Sequence, residues 1–119
     1  MKQATIYQYS KCSTCRDAVK HLKGNGYELS SIEIFDHPPD AQTLAALITK
    51  SGLPLQRFFN TSGEVYREMN LKDKVGLMSD EEKIQLLSSN GRLIKRPIVT
   101  SGDIVTVGYK KEQFEEIWS

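Results

Sequence analysis

Cysteine is scarce in this chain, with two residues in 119, at positions 12 and 15. Two cysteines inside one tetrapeptide cannot build the disulfide framework of a small secreted domain. Long apolar runs are also missing; the longest are a few residues, far short of the roughly 20 needed to span a bilayer. The N-terminal stretch Met1-Lys2-Gln3-Ala4-Thr5 is too polar for a secretory signal and lacks a small-residue cleavage site, so a cytoplasmic location is expected. Neither sign of charge dominates: 16 Lys plus Arg face 15 Asp plus Glu, for a net charge of +1. A domain that binds nucleic acid by neutralising phosphates needs a basic face. The doublets Lys95-Arg96 and Lys110-Lys111 fall short of one, and Glu112, Glu115 and Glu116 follow the second. No phosphate-binding glycine loop is present, neither G-x-x-x-x-G-K-[ST] nor G-x-G-x-x-G after a strand, so no nucleotide or flavin cofactor is implied.

What is present fits one globular domain over residues 1–119, expected to be monomeric, with 39% hydrophobic and 26% charged residues. Thr5 to Tyr9 is rich in β-branched and aromatic residues and predicts a strand. Cys15, Ala18, Val19 and Leu22 recur at helical spacing over about residues 13–23, and Gly24-Asn25-Gly26 suits a helix C-terminus. Leu29 to Phe35 predicts a second strand. His37-Pro38-Pro39 closes this unit, because proline restricts itself and the residue before it.

The middle of the chain is helical in pattern. Asp40 can cap a helix carrying Leu44, Leu47 and Ile48, ending near Ser51-Gly52-Leu53-Pro54. Short segments through Phe58-Phe59 and Tyr66-Met69 follow. Ser79-Asp80-Glu81-Glu82 matches a capping box, opening a helix with Ile84 and Leu87 that stops at Asn90-Gly91. Two β-rich runs, Pro97 to Thr100 and Ile104 to Tyr109, flank Ser101-Gly102-Asp103 and predict a hairpin. Phe114, Ile117 and Trp118 line a last helix. The order is an α/β one, β-α-β, a helical insert at about 37–91, then β-β-α. It is the thioredoxin-like arrangement, its lobe at about 1–36 and 92–119.

Cys12-Ser13-Thr14-Cys15 is a C-x-x-C at the start of a helix, where two sulfurs one turn apart can reach disulfide distance. Cys12 falls where unpaired backbone N–H groups and the helix dipole favour an anion. The hydroxyls of Ser13 and Thr14 and the charges of Lys11 and Arg16 point the same way. These terms favour thiolate, the species that attacks disulfides. Cys15, on the buried stripe, is then the resolving partner. A zinc site would need His21 and His37 as further ligands, at a spacing that fits no finger pattern. A cysteine phosphatase would need Arg six positions after Cys12, where Ala18 stands. Two unreactive core cysteines are the remaining reading, and a C-x-x-C at a strand-to-helix junction weighs against it.

Lys95-Arg96-Pro97 precedes the third predicted strand. In a thioredoxin-like fold a proline at this place, commonly cis, lies against the cysteine pair. A strand that simply opens with proline would look the same. Arg96 adds a guanidinium that can stabilise a thiolate or a bound oxyanion.

Cys12-Ser-Thr-Cys15, Leu93-Ile-Lys-Arg96-Pro97-Ile-Val and Val107-Gly-Tyr109 together resemble the arsenate reductase (ArsC)/Spx family over essentially the whole chain. The resemblance implies a thioredoxin-like lobe with a helical region. Glutaredoxin-coupled arsenate reductases of the family use one N-terminal cysteine and three arginines. Cys12 matches the nucleophile and Arg96 the arginine before proline, while Asn60 and Thr106 stand where the other two are expected; Arg57 lies nearby. At about 1.5–3 kcal/mol per charge-assisted contact, losing two should weaken oxyanion binding severely. Efficient arsenate reduction is therefore not expected. Spx-type regulators share the C-x-x-C, the Arg-Pro pair and Val-Gly-Tyr. They bind the C-terminal domain of the RNA polymerase α subunit and switch through the disulfide. Gly52 falls near a glycine of that interface, although a glycine before Leu-Pro also suits a helix C-cap.

The preferred expectation is a thiol-disulfide oxidoreductase with Cys12 and Cys15 as a redox-active disulfide pair, Arg96 beside them and Pro97 cis. Its electron donor would be thioredoxin, glutaredoxin or a low-molecular-weight thiol. The Spx-type regulator is the alternative. No metal, cofactor or membrane is implied.

Overall fold

The computed structural model describes residues 2–119; Met1, the first residue of the polar N-terminal stretch, lies outside them. Backbone proximity divides the chain into two units, one taking the chain up to residue 33 together with residues 96–119, the other residues 34–95.

The first unit holds four strands, β1 (Lys2–Gln8), β2 (Tyr27–Glu33), β3 (Ile98–Ser101) and β4 (Ile104–Val107), in the order β2-β1-β3-β4. β1 pairs parallel with β2 and antiparallel with β3, and β3 pairs antiparallel with β4. Two helices join them, α1 (Ser13–Gly24) and a last short helix over Lys111–Ile117. Ala4, Ile6 and Val99 from one sheet face pack with Ala18 and Leu22 of α1 and with Phe114 and Trp118 near the C-terminus. The unit is the α/β, thioredoxin-like lobe that the element order predicts.

Strand boundaries differ from the expectation by up to three residues, for a physical reason. The parallel ladder runs from Lys2↔Tyr27 to Gln8↔Glu33, so pairing recruits Lys2, Gln3, Tyr27 and Glu28 despite their polarity. Tyr9 leaves the strand because its carbonyl accepts the Cys12 N–H at 3.0 Å. Ile34 and Phe35 lie beyond β2. β4 stops before Tyr109, since Gly108 takes φ +80° and donates its N–H to the Pro97 carbonyl at 2.8 Å.

The second unit carries α2 (Ala41–Ser51), α3 (Glu64–Glu68), α4 (Leu71–Lys74) and α5 (Asp80–Ser89), so the Lys111–Ile117 helix is α6. Asp40 caps α2 by accepting the Thr43 N–H at 2.7 Å. Gly52 is the left-handed C-cap of that helix, at φ +68°. The Ser79–Glu82 capping box is complete in both directions. Gly91, buried after α5, has the Ile34 backbone where a side chain would begin. No helix among the described residues is long and apolar enough to cross a membrane.

Candidate functional site

β1 delivers the chain to a tight turn, Tyr9 to Cys12, that sets the start of α1. Two anchors hold this turn. Cys12 donates its N–H to the Tyr9 carbonyl, and Ser10 donates its N–H to the Glu33 carboxylate at 3.1 Å. Cys12 is the N-cap of α1: its backbone is extended, and its sulfur accepts the Cys15 N–H at 3.4 Å. The sulfur thus occupies the place of the oxygen in an ordinary Ser or Asp cap. Both cysteines are thiols; Cys12 is half-buried and Cys15 fully buried.

The two thiols differ sharply in acidity. Burial pushes the Cys12 thiol up, but the Cys15 side-chain and backbone hydrogen bonds, the Arg96 charge and the Thr14 backbone together outweigh it, so its pKa falls below the ordinary 9.0. Burial pushes Cys15 up to about 12; a backbone hydrogen bond with Tyr9 opposes this, while the hydrogen bond to Cys12 and the Cys12 charge add to it. One sulfur is shifted toward the thiolate and its neighbour toward keeping its proton.

Arg96 reaches this place from the strand entrance far along the chain. Its guanidinium carbon lies over the Tyr9 ring, 5.6 Å from the centroid, and its charge acts on both sulfurs. The Arg96–Pro97 peptide is cis, and Pro97 is buried. Cys12, Cys15 and Arg96 are therefore brought together, and Pro97 follows Arg96 within the same unit.

Other residues singled out in the sequence fall elsewhere. Lys11 and Arg16 are exposed and neither is among the groups that set the acidity of Cys12. Ser13 is exposed, and Thr14 acts through its backbone rather than its hydroxyl. Thr106 is 3% exposed and accepts the Trp118 indole N–H at 3.0 Å, facing the lobe's core. Asn60 belongs to the second unit, where its N–H donates to the Leu93 carbonyl and its side-chain oxygen accepts from Ser62. Arg57 is exposed in that unit. His21 packs edge-on against Phe114, and His37 is exposed. No group of three or more His, Cys, Asp or Glu among the described residues could hold a metal ion.

Two residues of the site escaped sequence reading. Tyr9 reads as the last apolar position of a strand, and Glu33 as a polar position in the next. The available signal for Tyr9 was an aromatic ring three residues before a C-x-x-C, in reach of any cation aimed at the same sulfurs.

A model of the ArsC family matches residues 7–117 of the chain. The protein YusI of Bacillus subtilis (strain 168) is 54% identical over 115 residues, 97% of this chain and 98% of the relative. The arsenate reductase of Yersinia enterocolitica is 31% identical over 101 residues, 85% of this chain and 70% of the enzyme. The crystal structure of an ArsC family related protein from Bacteroides fragilis aligns with a TM-score of 0.91 at 46% identity, over 98% of this chain and 97% of that one.

Proposed function

The chain belongs to the ArsC family, and on that premise we propose that it is a thiol-disulfide oxidoreductase working through Cys12 and Cys15. The observation that carries this reading is the Cys12 sulfur at the N-cap of α1, hydrogen-bonded by Cys15 and facing the Arg96 charge. In the first step the Cys12 thiolate attacks one sulfur of a substrate disulfide. A mixed disulfide forms, and the other substrate sulfur leaves as a thiolate that takes up a proton. Cys15 then gives up its proton and attacks the Cys12 sulfur, releasing the second substrate thiol and leaving a Cys12–Cys15 disulfide. Two electrons have passed to the substrate. An external dithiol or two low-molecular-weight thiols return the pair to its reduced form; thioredoxin and glutaredoxin are donors of this class.

The acidity difference suits the order of events. The half-exposed sulfur is the better nucleophile at neutral pH, and the buried one is held in reserve as a thiol until the mixed disulfide removes the negative charge beside it.

A disulfide is favoured over arsenate as the oxidised substrate. Of three arginines that the family resemblance calls for, only Arg96 is present; position 60 is Asn and position 106 is Thr. The Thr106 hydroxyl already serves Trp118 inside the core and has no role toward an oxyanion.

The test is reduction of a mixed disulfide by the native chain and by Cys12→Ser and Cys15→Ser, with arsenate reduction measured beside it. Cys12→Ser should lose all disulfide reduction. Cys15→Ser should stop at the mixed disulfide, which also allows clients to be captured from lysate. Retained turnover in Cys12→Ser would overturn the reading, and arsenate turnover faster than disulfide turnover would overturn the choice of substrate.

A further inference from the structure

Tyr9 touches Cys12, Cys15 and Arg96, each through a different part of itself. Its carbonyl accepts the Cys12 N–H at 3.0 Å, and its backbone hydrogen-bonds the Cys15 sulfur. Its half-buried ring lies beneath the Arg96 guanidinium, 5.6 Å from centroid to carbon. The backbone contacts any residue could make. The ring contact is particular to an aromatic side chain.

We propose that Tyr9 is a positioning residue of the redox site, its ring acting as the platform that holds the Arg96 guanidinium against Cys12. The proposal rests on Cys12 being the reacting sulfur. Arginine carries a long side chain with several free torsions, and leaving it ordered has an entropic cost. A ring face attracts the guanidinium plane and offsets that cost without adding any charge of its own. A carboxylate in the same place would hold Arg96 more firmly but would cancel its field at the sulfur. An aromatic ring fixes the cation and leaves its charge undiminished for Cys12. The groups that act on Cys12 are Cys15 and Thr14 on α1 and Arg96 at the entrance to β3. Tyr9 would act through the last of these.

The experiment reads the thiolate rather than turnover, so it can fail while the thiol-disulfide reading stands. Thiolate absorbance near 240 nm is followed against pH for the native chain, Tyr9→Phe and Tyr9→Leu, each also in an Arg96→Gln background. Tyr9→Phe keeps the ring and should leave the Cys12 midpoint where it is. Tyr9→Leu should raise it by about half a pH unit, the equivalent of one exposed cation–π contact. In the Arg96→Gln background the two should coincide. A midpoint unmoved by Tyr9→Leu, or moved equally with Arg96 absent, would overturn the proposal. Should Tyr9→Leu fail to fold, the native chain supplies the measurement. The Arg96 side-chain protons should be displaced upfield by the ring current and lose that displacement in Tyr9→Met; ordinary shifts in the native chain would overturn the proposal.

Discussion

The Trp118 indole N–H donates to the Thr106 hydroxyl across 3.0 Å, with both side chains buried. It joins the end of the chain to the edge strand β4 at a point where neither group has access to water. Removing the acceptor while keeping the shape, Thr106→Val, leaves a buried donor unpaired, which costs about 1–3 kcal/mol. Thr106→Ser keeps the oxygen and should cost less. Urea unfolding of the three chains measures this; a Val variant as stable as the native chain would show that the N–H finds another partner.

Cys12 and Cys15 should separate cleanly by reactivity. Because the folded pKa of Cys12 lies below 9.0 and that of Cys15 near 12, alkylation at neutral pH should modify Cys12 first and leave Cys15 untouched. Arg96→Gln should raise the midpoint of the pH–rate curve, because it removes the positive charge facing the sulfur. Cys15→Ser should shift it as well, since a thiol hydrogen bond is exchanged for a hydroxyl one. Peptide mapping after limited alkylation decides the order, and modification of Cys15 first would reverse the assignment of roles.

Two glycines of the second unit should respond in opposite ways to alanine. At Gly91 a Cβ would run into the Ile34 carbonyl oxygen, backbone that cannot move aside without disturbing buried neighbours. Gly91→Ala should destabilise by about 1–3 kcal/mol, the range for forcing atoms into filled space. Gly76 is exposed with nothing within 4 Å of its Cβ direction. Gly76→Ala should be neutral or slightly stabilising, because it restricts the unfolded chain. Thermal unfolding of both variants gives the comparison.

The sequence made the elements legible and much of the site, but in unequal measure. Local signals were reliable where the physics is local: the Ser79–Glu82 capping box, the Asp40 cap and the Gly52 C-cap all stand where their residues predict. Strand ends were not, because Lys2 and Gln3 are strand only by virtue of a parallel partner at Tyr27 and Glu28. Sequence nearness also misled about charge. Lys11 and Arg16 flank the cysteines, yet they extend into solvent, and the cation that acts on Cys12 is Arg96. Thr106 reads as a strand residue free to face a ligand; only the register Val99↔Thr106 places it on the core side, toward Trp118. The pairing of Tyr9 with Arg96 depends on β1 and β3 lying side by side, a relation no local pattern contains.

The cysteine pair also ties stability to pH. A thiol whose folded pKa is raised keeps its proton in the folded chain after the unfolded chain has released it. For Cys15 this holds from the ordinary 9.0 up to about 12. Over that window the unfolded state binds fewer protons, so stability falls as pH rises, at up to about 1.4 kcal/mol per pH unit. Cys12 works the other way. Its lowered pKa adds stability as pH rises from its folded value toward 9.0 and adds nothing further above it. Under reducing conditions, stability should therefore improve slightly on the approach to pH 9 and then decline. Alkaline pH acts on the rest of the chain as well, so the decisive quantity is a difference between chains. Cys15→Ala removes the buried thiol at a roughly constant cost in packing, and its unfolding free energy should converge on that of the native chain as pH climbs from 9 to 11. Curves that stay parallel across this range would mean that Cys15 ionises at an ordinary pH, and that its burial and its neighbour's charge do not hold the proton in place.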